Sequence, residues 1–260
     1  MDIIHSIVLG IVEGITEFLP VSSTAHLIIT SHLLGMPSTE FQKFYEVFIQ
    51  AGAILAVVIM YFTYILKHRN LLVPLLISFI PTAIIGFLLH GVIKGVFFDS
   101  MGMIAFSLAF VGGAFIVIER LVKTKKLKLV KEMHSIAAKD AILIGLMQSL
   151  AVVPGVSRAG MVIVGMMLLK YKREDAAVYS FLLAIPTILA ASLYDLYKSR
   201  DIIMQSQSQL PSLAVGFVVS FVVAYAAVRW LIGYLRQNTL VLFGYYRILL
   251  AIIVVLLFLI

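Results

Sequence analysis

Six stretches of this chain, residues 47–66, 71–89, 101–118, 176–193, 210–232 and 240–260, stay apolar for about the thickness of a bilayer's hydrocarbon core. A helix crosses that core in roughly 20 residues and a strand in roughly 10. Backbone groups in lipid must be satisfied within the spanning element, so runs of this length can only be helices. The class that follows is an all-α integral membrane protein, one membrane domain over residues 1–260. Composition agrees, with 62% of the residues hydrophobic and a mean hydropathy of +1.09, against roughly 45–50% apolar in soluble domains. The net charge of +7 is read as the cation excess of cytoplasmic loops, so no nucleic-acid partner is expected. Cysteine is absent, which excludes a disulfide framework, a thiol nucleophile and a thiolate metal site. The first residues carry no basic region, and Glu13 and Glu17 interrupt the run that follows, so a cleaved signal is not expected.

Two further apolar segments are too short to cross. Residues 3–19 stop at Pro20, Val21-Ser22-Ser23-Thr24 follows, and 25–34 is a second short run. The pattern returns at 141–153, which stops at Pro154-Gly155; Val156-Ser157-Arg158 follows, then 159–169. Each pair is expected to be a re-entrant hairpin whose broken tip is buried in protein or faces a wet cavity. The chain therefore reads as two halves, 1–122 and 138–260, each a broken hairpin followed by three spans. Three is odd, so the second half enters from the opposite side, giving six transmembrane helices and two re-entrant hairpins in an inverted repeat. Placing Lys67, Arg69, the lysine-rich connection 120–139, Lys170, Lys172, Arg173, Arg229 and Arg236 inside leaves only Lys43, Lys94, Lys198 and Arg200 outside. Both termini then lie outside. The lysine-rich connection is read as a solvated cytoplasmic face, and Arg247 as a snorkelling cation near the inner interface.

The polar residues of the two breaks carry the chemistry. Glu13 and Glu17 are four apart and share a helix face. Two carboxylates together in a low dielectric call for a cation or a proton between them, hence either a divalent ion such as Mg2+ or a general acid. Ser22, Ser23 and Thr24 open a half-helix, where hydroxyls serve as N-caps and free N–H groups bind anions. His26, three residues after Ser23, is placed to take a proton from a hydroxyl or water, or to give one to a leaving group. Arg158 offers a planar, permanently charged fork suited to phosphate. If the two tips meet, these groups form a site for phosphoryl transfer on a phosphate-bearing lipid. A transporter or flippase for such a lipid would need the binding groups but no nucleophile and base.

Residues 13–26, EGITEFLPVSSTAH, and 154–160, PGVSRAG, resemble the two motifs of the undecaprenyl-pyrophosphate phosphatase family, the bacitracin-resistance proteins. The resemblance covers the whole chain. It implies hydrolysis of undecaprenyl pyrophosphate to undecaprenyl phosphate at the outer side of a bacterial plasma membrane, recycling the lipid carrier of cell-wall synthesis. Carried over, Glu17, Ser23, His26 and Arg158 are the catalytic set, Ser23 or a water being the nucleophile. Ser22, Thr24, Gly155 and Ser157 bind substrate, and Glu13 with Glu17 holds a divalent cation, Mg2+ or Ca2+. Pairing into a homodimer is left open. Where the family continues Ser-Gly-Ala-Thr after its arginine, this chain has Ala159-Gly160-Met161-Val162, two hydroxyls fewer.

Overall fold

The computed structural model describes residues 1–37, 39–92 and 100–258. Lys94, counted above among the outer cations, and the last two residues of the final apolar run lie outside them.

Eleven α-helices are formed by the described residues: α1 Ile3–Thr16, α2 Ser23–Leu33, α3 Glu40–Lys67, α4 Leu72–Val92, α5 Met101–Lys123, α6 Ala138–Ser149, α7 Arg158–Leu168, α8 Arg173–Lys198, α9 Arg200–Gln205, α10 Leu210–Leu235 and α11 Val241–Phe258. Six of them, α3, α4, α5, α8, α10 and α11, are long and apolar enough to cross a membrane. No strand occurs among the described residues beyond an isolated parallel bridge between Lys131 and Tyr171. Helix α1, with 14 residues, extends about 21 Å at 1.5 Å per residue, short of a crossing. It ends at Thr16, four residues ahead of Pro20, and a run of turns leads to α2.

The side-chain period of α1 decides which way it faces. Ile3, Ile7, Ile11 and Ile15 form a lipid-exposed stripe, while Ser6, Leu9, Gly10 and Glu13 are buried. One face is thus given to lipid and the other delivers a carboxylate inward. Helix α7 is enclosed almost throughout, every residue from Ala159 to Met167 being buried. It lies in the main core with Phe18, Phe115, Tyr179 and Phe181.

The helices pair across the two halves of the chain. Helix α1 packs on α10 and α6 on α4; α3 packs on α8 and α5 on α11. The closest approach of α5 to α11 is at Gly112 and Gly244, where a Cβ on either would stand 2.8 Å from the other's carbonyl oxygen. Small residues at such crossings let backbones meet where no hydrophobic force between helices is available.

A buried charge pair joins three helices. Arg173 of α8 grips Glu119 of α5 through Nε and Nη2, at 2.7 and 2.6 Å, and the Leu240 N–H ahead of α11 donates to the same carboxylate at 2.9 Å. The lysines at 123–128 are exposed, as expected, but the far end of that connection is docked. Val130 and Lys131 N–H both donate to the Lys170 carbonyl. Asp140 accepts from the Tyr171 hydroxyl at 2.7 Å and from Lys131 Nζ at 2.9 Å. Burial pushes the Asp140 carboxyl up, but the Tyr171 hydroxyl and Lys131 outweigh it and hold the group below its ordinary value.

Candidate active site

Each break between two short helices contains one serine forced into the left-handed region, Ser22 at φ 75° and Ser157 at φ 73°. Such backbone costs about 1–3 kcal/mol for a residue with a side chain, and persists only where its surroundings fix it. Gly155, at φ 88°, takes the second break through a point where a Cβ would stand 2.7 Å from the Ile104 carbonyl oxygen. The half-helices that follow, α2 and α7, have 11 residues each.

The hydroxyls do not act as a uniform set of caps. Ser157 Oγ accepts from Gly160 N–H at 3.1 Å, an ordinary N-cap bond. Ser22 makes no side-chain cap bond. Ser23 instead donates its hydroxyl to Glu17 Oε2 at 2.5 Å. The other oxygen of the same carboxylate, Oε1, accepts from Arg158 Nη2 at 3.2 Å. Arg158 Nη1 is held by the Ser180 carbonyl of α8 at 3.1 Å, while its Nε is buried without an acceptor. A guanidinium from the second break, a carboxylate from the first and a serine hydroxyl thus lie in line.

This line borders a cavity of about 170 Å³ with polar and apolar walls. Glu17, Ser22, Ser23, Thr24, Gly155, Ser157 and Arg158, all singled out in the sequence, line it together. Two remaining candidates are placed elsewhere. Glu13, one turn before Glu17, is fully buried, and neither of its oxygens has a hydrogen-bond partner. His26 is outside the cavity lining. Its Nδ1 lies 2.7 Å from the Ser22 carbonyl and its Nε2 2.6 Å from the Tyr246 hydroxyl, with the two rings stacked. A ring whose Nδ1–H donates to a carbonyl accepts the tyrosine proton at Nε2, so both nitrogens are engaged.

Sequence reasoning missed Gln50 of α3 and Thr187 of α8, which also line the cavity. Each is an uncharged polar residue inside a long apolar run, a signal present in the sequence but weak. Arg247 was misread. It is fully buried, not snorkelling, because five backbone carbonyls of the breaks and of α5 take up its donors.

The family model described as bacitracin resistance protein BacA matches residues 6–253. The chain belongs to the BacA family. Undecaprenyl-diphosphatase of Sulfurihydrogenibium sp. is 46% identical over 97% of this chain and 98% of its own length. The protein of that name from Aquifex aeolicus is 43% identical over 96% of each chain, and that from Wolinella succinogenes 45% over 97% of each. The match to the BacA family spans both breaks, five of the six long helices and α11 as far as residue 253, so the cavity lies wholly inside the shared region.

The residues present are compatible with a divalent cation. Among the described residues no group of three or more His, Cys, Asp or Glu is arranged to hold a metal. Mg2+, however, is commonly held by one or two carboxylates with substrate phosphates and water completing the shell. Glu17 lines the cavity and supplies one such carboxylate, while Glu13 stands one turn behind it, fully buried and outside the lining.

Proposed function

We propose that this chain is a membrane phosphatase that hydrolyses undecaprenyl pyrophosphate to undecaprenyl phosphate and inorganic phosphate, returning the lipid carrier to cell-wall synthesis. The observation that carries the reading is the Ser23–Glu17–Arg158 line, with a hydroxyl at 2.5 Å from a carboxylate oxygen whose twin meets the guanidinium. A transporter needs anion donors but has no use for a hydroxyl already bonded to a base.

The terminal phosphate enters the cavity between the α2 N-terminus and Arg158. Free N–H groups at a helix start favour an anion, and the unpaired Arg158 Nε adds a charged donor. Phosphate oxygens compete with Glu17 for Arg158, which leaves Glu17 to Ser23. Glu17 takes the hydroxyl proton as Ser23 Oγ attacks the terminal phosphorus. The bridging P–O bond breaks, and undecaprenyl phosphate departs with the bonding pair. Glu17 gives its proton up to solvent; water then attacks the phosphoserine and loses a proton to Glu17, which returns it to Ser23 Oγ as the Oγ–P bond breaks and inorganic phosphate leaves. His26 serves the reaction by holding the Ser22 carbonyl, and so the turn that aims Ser23. A divalent cation on Glu13 and Glu17 would supply charge neutralisation to the diphosphate.

The halves 1–122 and 138–260 form an inverted repeat of a re-entrant hairpin and three spans. Support comes from the paired positive-φ serines, the equal half-helices, and the exchange in which α1 packs on α10 while α6 packs on α4. The cation bias supports a cavity that opens to the outer side of the plasma membrane.

The test is phosphate release from undecaprenyl pyrophosphate by purified protein in detergent. Glu17→Gln, Ser23→Ala and Arg158→Ala should each lower turnover at least about 100-fold, the usual scale for loss of an acid–base or charge-stabilising group. Full activity in all three would refute the assigned site. Binding of the lipid with no phosphate released by the unmodified protein would favour the transporter.

A further inference from the structure

One buried cation has no part in the reaction above. Arg247 lies on α11, is fully buried, and makes no ion pair among the described residues. All its donors go to backbone carbonyls. Nη1 reaches Pro20 at 3.1 Å; Nη2 reaches Gly155 at 2.6 Å, Val156 at 3.1 Å and Ser107 at 3.4 Å; Nε reaches Leu108 at 3.4 Å. Pro20 belongs to the first break, Gly155 and Val156 to the second, and Ser107 and Leu108 to α5.

Where a helix breaks at membrane depth, carbonyls lose their helical partners and need other donors. One guanidinium here supplies them to both breaks at once. Its plane carries its donors in a fixed fork, so it sets relative positions as well as satisfying oxygens. The Gly112–Gly244 crossing brings the stem of the side chain there, since a Cβ on Gly112 would meet Arg247 Cβ at 3.1 Å. The Phe115 ring, 5.9 Å from the guanidinium carbon, closes one side. Pro20 lies three residues before Ser23, and Val156 two before Arg158. The segments so tied are the two that carry the reacting hydroxyl and the phosphate-binding fork.

We infer that Arg247 is a positioning residue that holds the Ser23 turn and the Arg158 turn at one separation. It acts through both and touches neither the substrate nor the reacting atoms. The expected effect on turnover rests on the phosphatase reading above; the geometric effect does not.

Two measurements decide it. The first is kcat and KM of phosphate release per folded molecule for Arg247→Met and Arg247→Lys. A misplacement of about 1 Å costs on the order of 100-fold, so Arg247→Met should lose about that much in kcat with a smaller change in KM. Lysine keeps the charge but not the fork, and should recover part of the loss. The second is the distance between spin labels on cysteines introduced at Leu19 and Ala151, which are unique because the chain has no cysteine of its own. The distribution should be narrow with Arg247 and broad or shifted in Arg247→Met. If yield of folded protein falls while label distance and turnover per folded molecule stay unchanged, Arg247 is a folding element only and the inference is wrong. If the unmodified protein releases no phosphate, the phosphatase reading fails by itself, and the label distances still decide the role of Arg247.

Discussion

Ser22 is the residue on which the first break turns, and it does so at a backbone angle that suits glycine better. Its hydroxyl makes no cap bond, so its contribution is either conformational or a contact to substrate. The two separate on substitution. Ser22→Gly should leave thermal stability in detergent unchanged or improved, whereas Ser22→Val, β-branched in the left-handed region, should lose about 1–3 kcal/mol. If the hydroxyl binds phosphate, Ser22→Gly raises KM for the diphosphate without lowering stability. His26 poses a similar question one turn later. With Nδ1 on the Ser22 carbonyl and Nε2 on Tyr246, His26→Ala frees the turn and should cost roughly 10- to 100-fold in turnover. Tyr246→Phe, which removes only the outer bond, should stay within about threefold; a loss as large as that of His26→Ala would instead mean that a proton travels through Nε2.

At the scale of elements, stability is concentrated where helices from both halves are tied by charge. Glu119 is almost fully buried and accepts from Arg173 and from the Leu240 N–H. Removing one partner of a buried pair leaves the other uncompensated, typically at 3–5 kcal/mol. Glu119→Ala should therefore lower the unfolding temperature sharply while the Ser23–Glu17–Arg158 line, made by other residues, keeps its activity at low temperature. The docked connection before α6 adds a pH-dependent part. The Asp140 carboxyl is held below its ordinary value by Tyr171 and Lys131 against burial. A carboxylate lowered in the folded state contributes stability that is present above its unfolded value, about 3.9, and is lost as pH falls through the folded one. Unfolding scans should show an acid limb below that value, and Asp140→Asn should flatten it. An acid limb of equal size in Asp140→Asn would assign it to other carboxylates.

Across the whole molecule, the sequence was most legible where lipid is the solvent. A long apolar run admits one structure, so six long helices could be read from length alone, and two short runs ending in proline announced the breaks. The site was legible to the extent that costly groups cluster within a few residues: seven of the nine candidates line one cavity. What escaped was set by helix rotation and by packing across the halves. Gln50, Thr187 and Arg247 sit in long apolar runs, and no local pattern tells which face of a helix will turn toward a break formed elsewhere in the chain. Gly10 of α1 and Gly145 of α6 each press on a helix of the other half, Gly10 on Gly216 of α10 and Gly145 on Ser78 of α4. This exchange of partners packs helices from 1–122 against helices from 138–260. Three long apolar helices separate residue 37 from residue 126, so the two positions are expected on opposite faces of the membrane, with 126 inside by the cation bias. With the native chain free of cysteine, single cysteines at Pro37, Lys126 and Asn238 can each be probed on intact cells with a membrane-impermeant thiol reagent. Pro37→Cys should react and the other two should react only after lysis. That labelling would put the first break, entered from the face of Pro37, on the outer side. Labelling of Lys126→Cys and Asn238→Cys on intact cells, with Pro37→Cys protected, would turn the molecule over and put Ser23 on the cytoplasmic face.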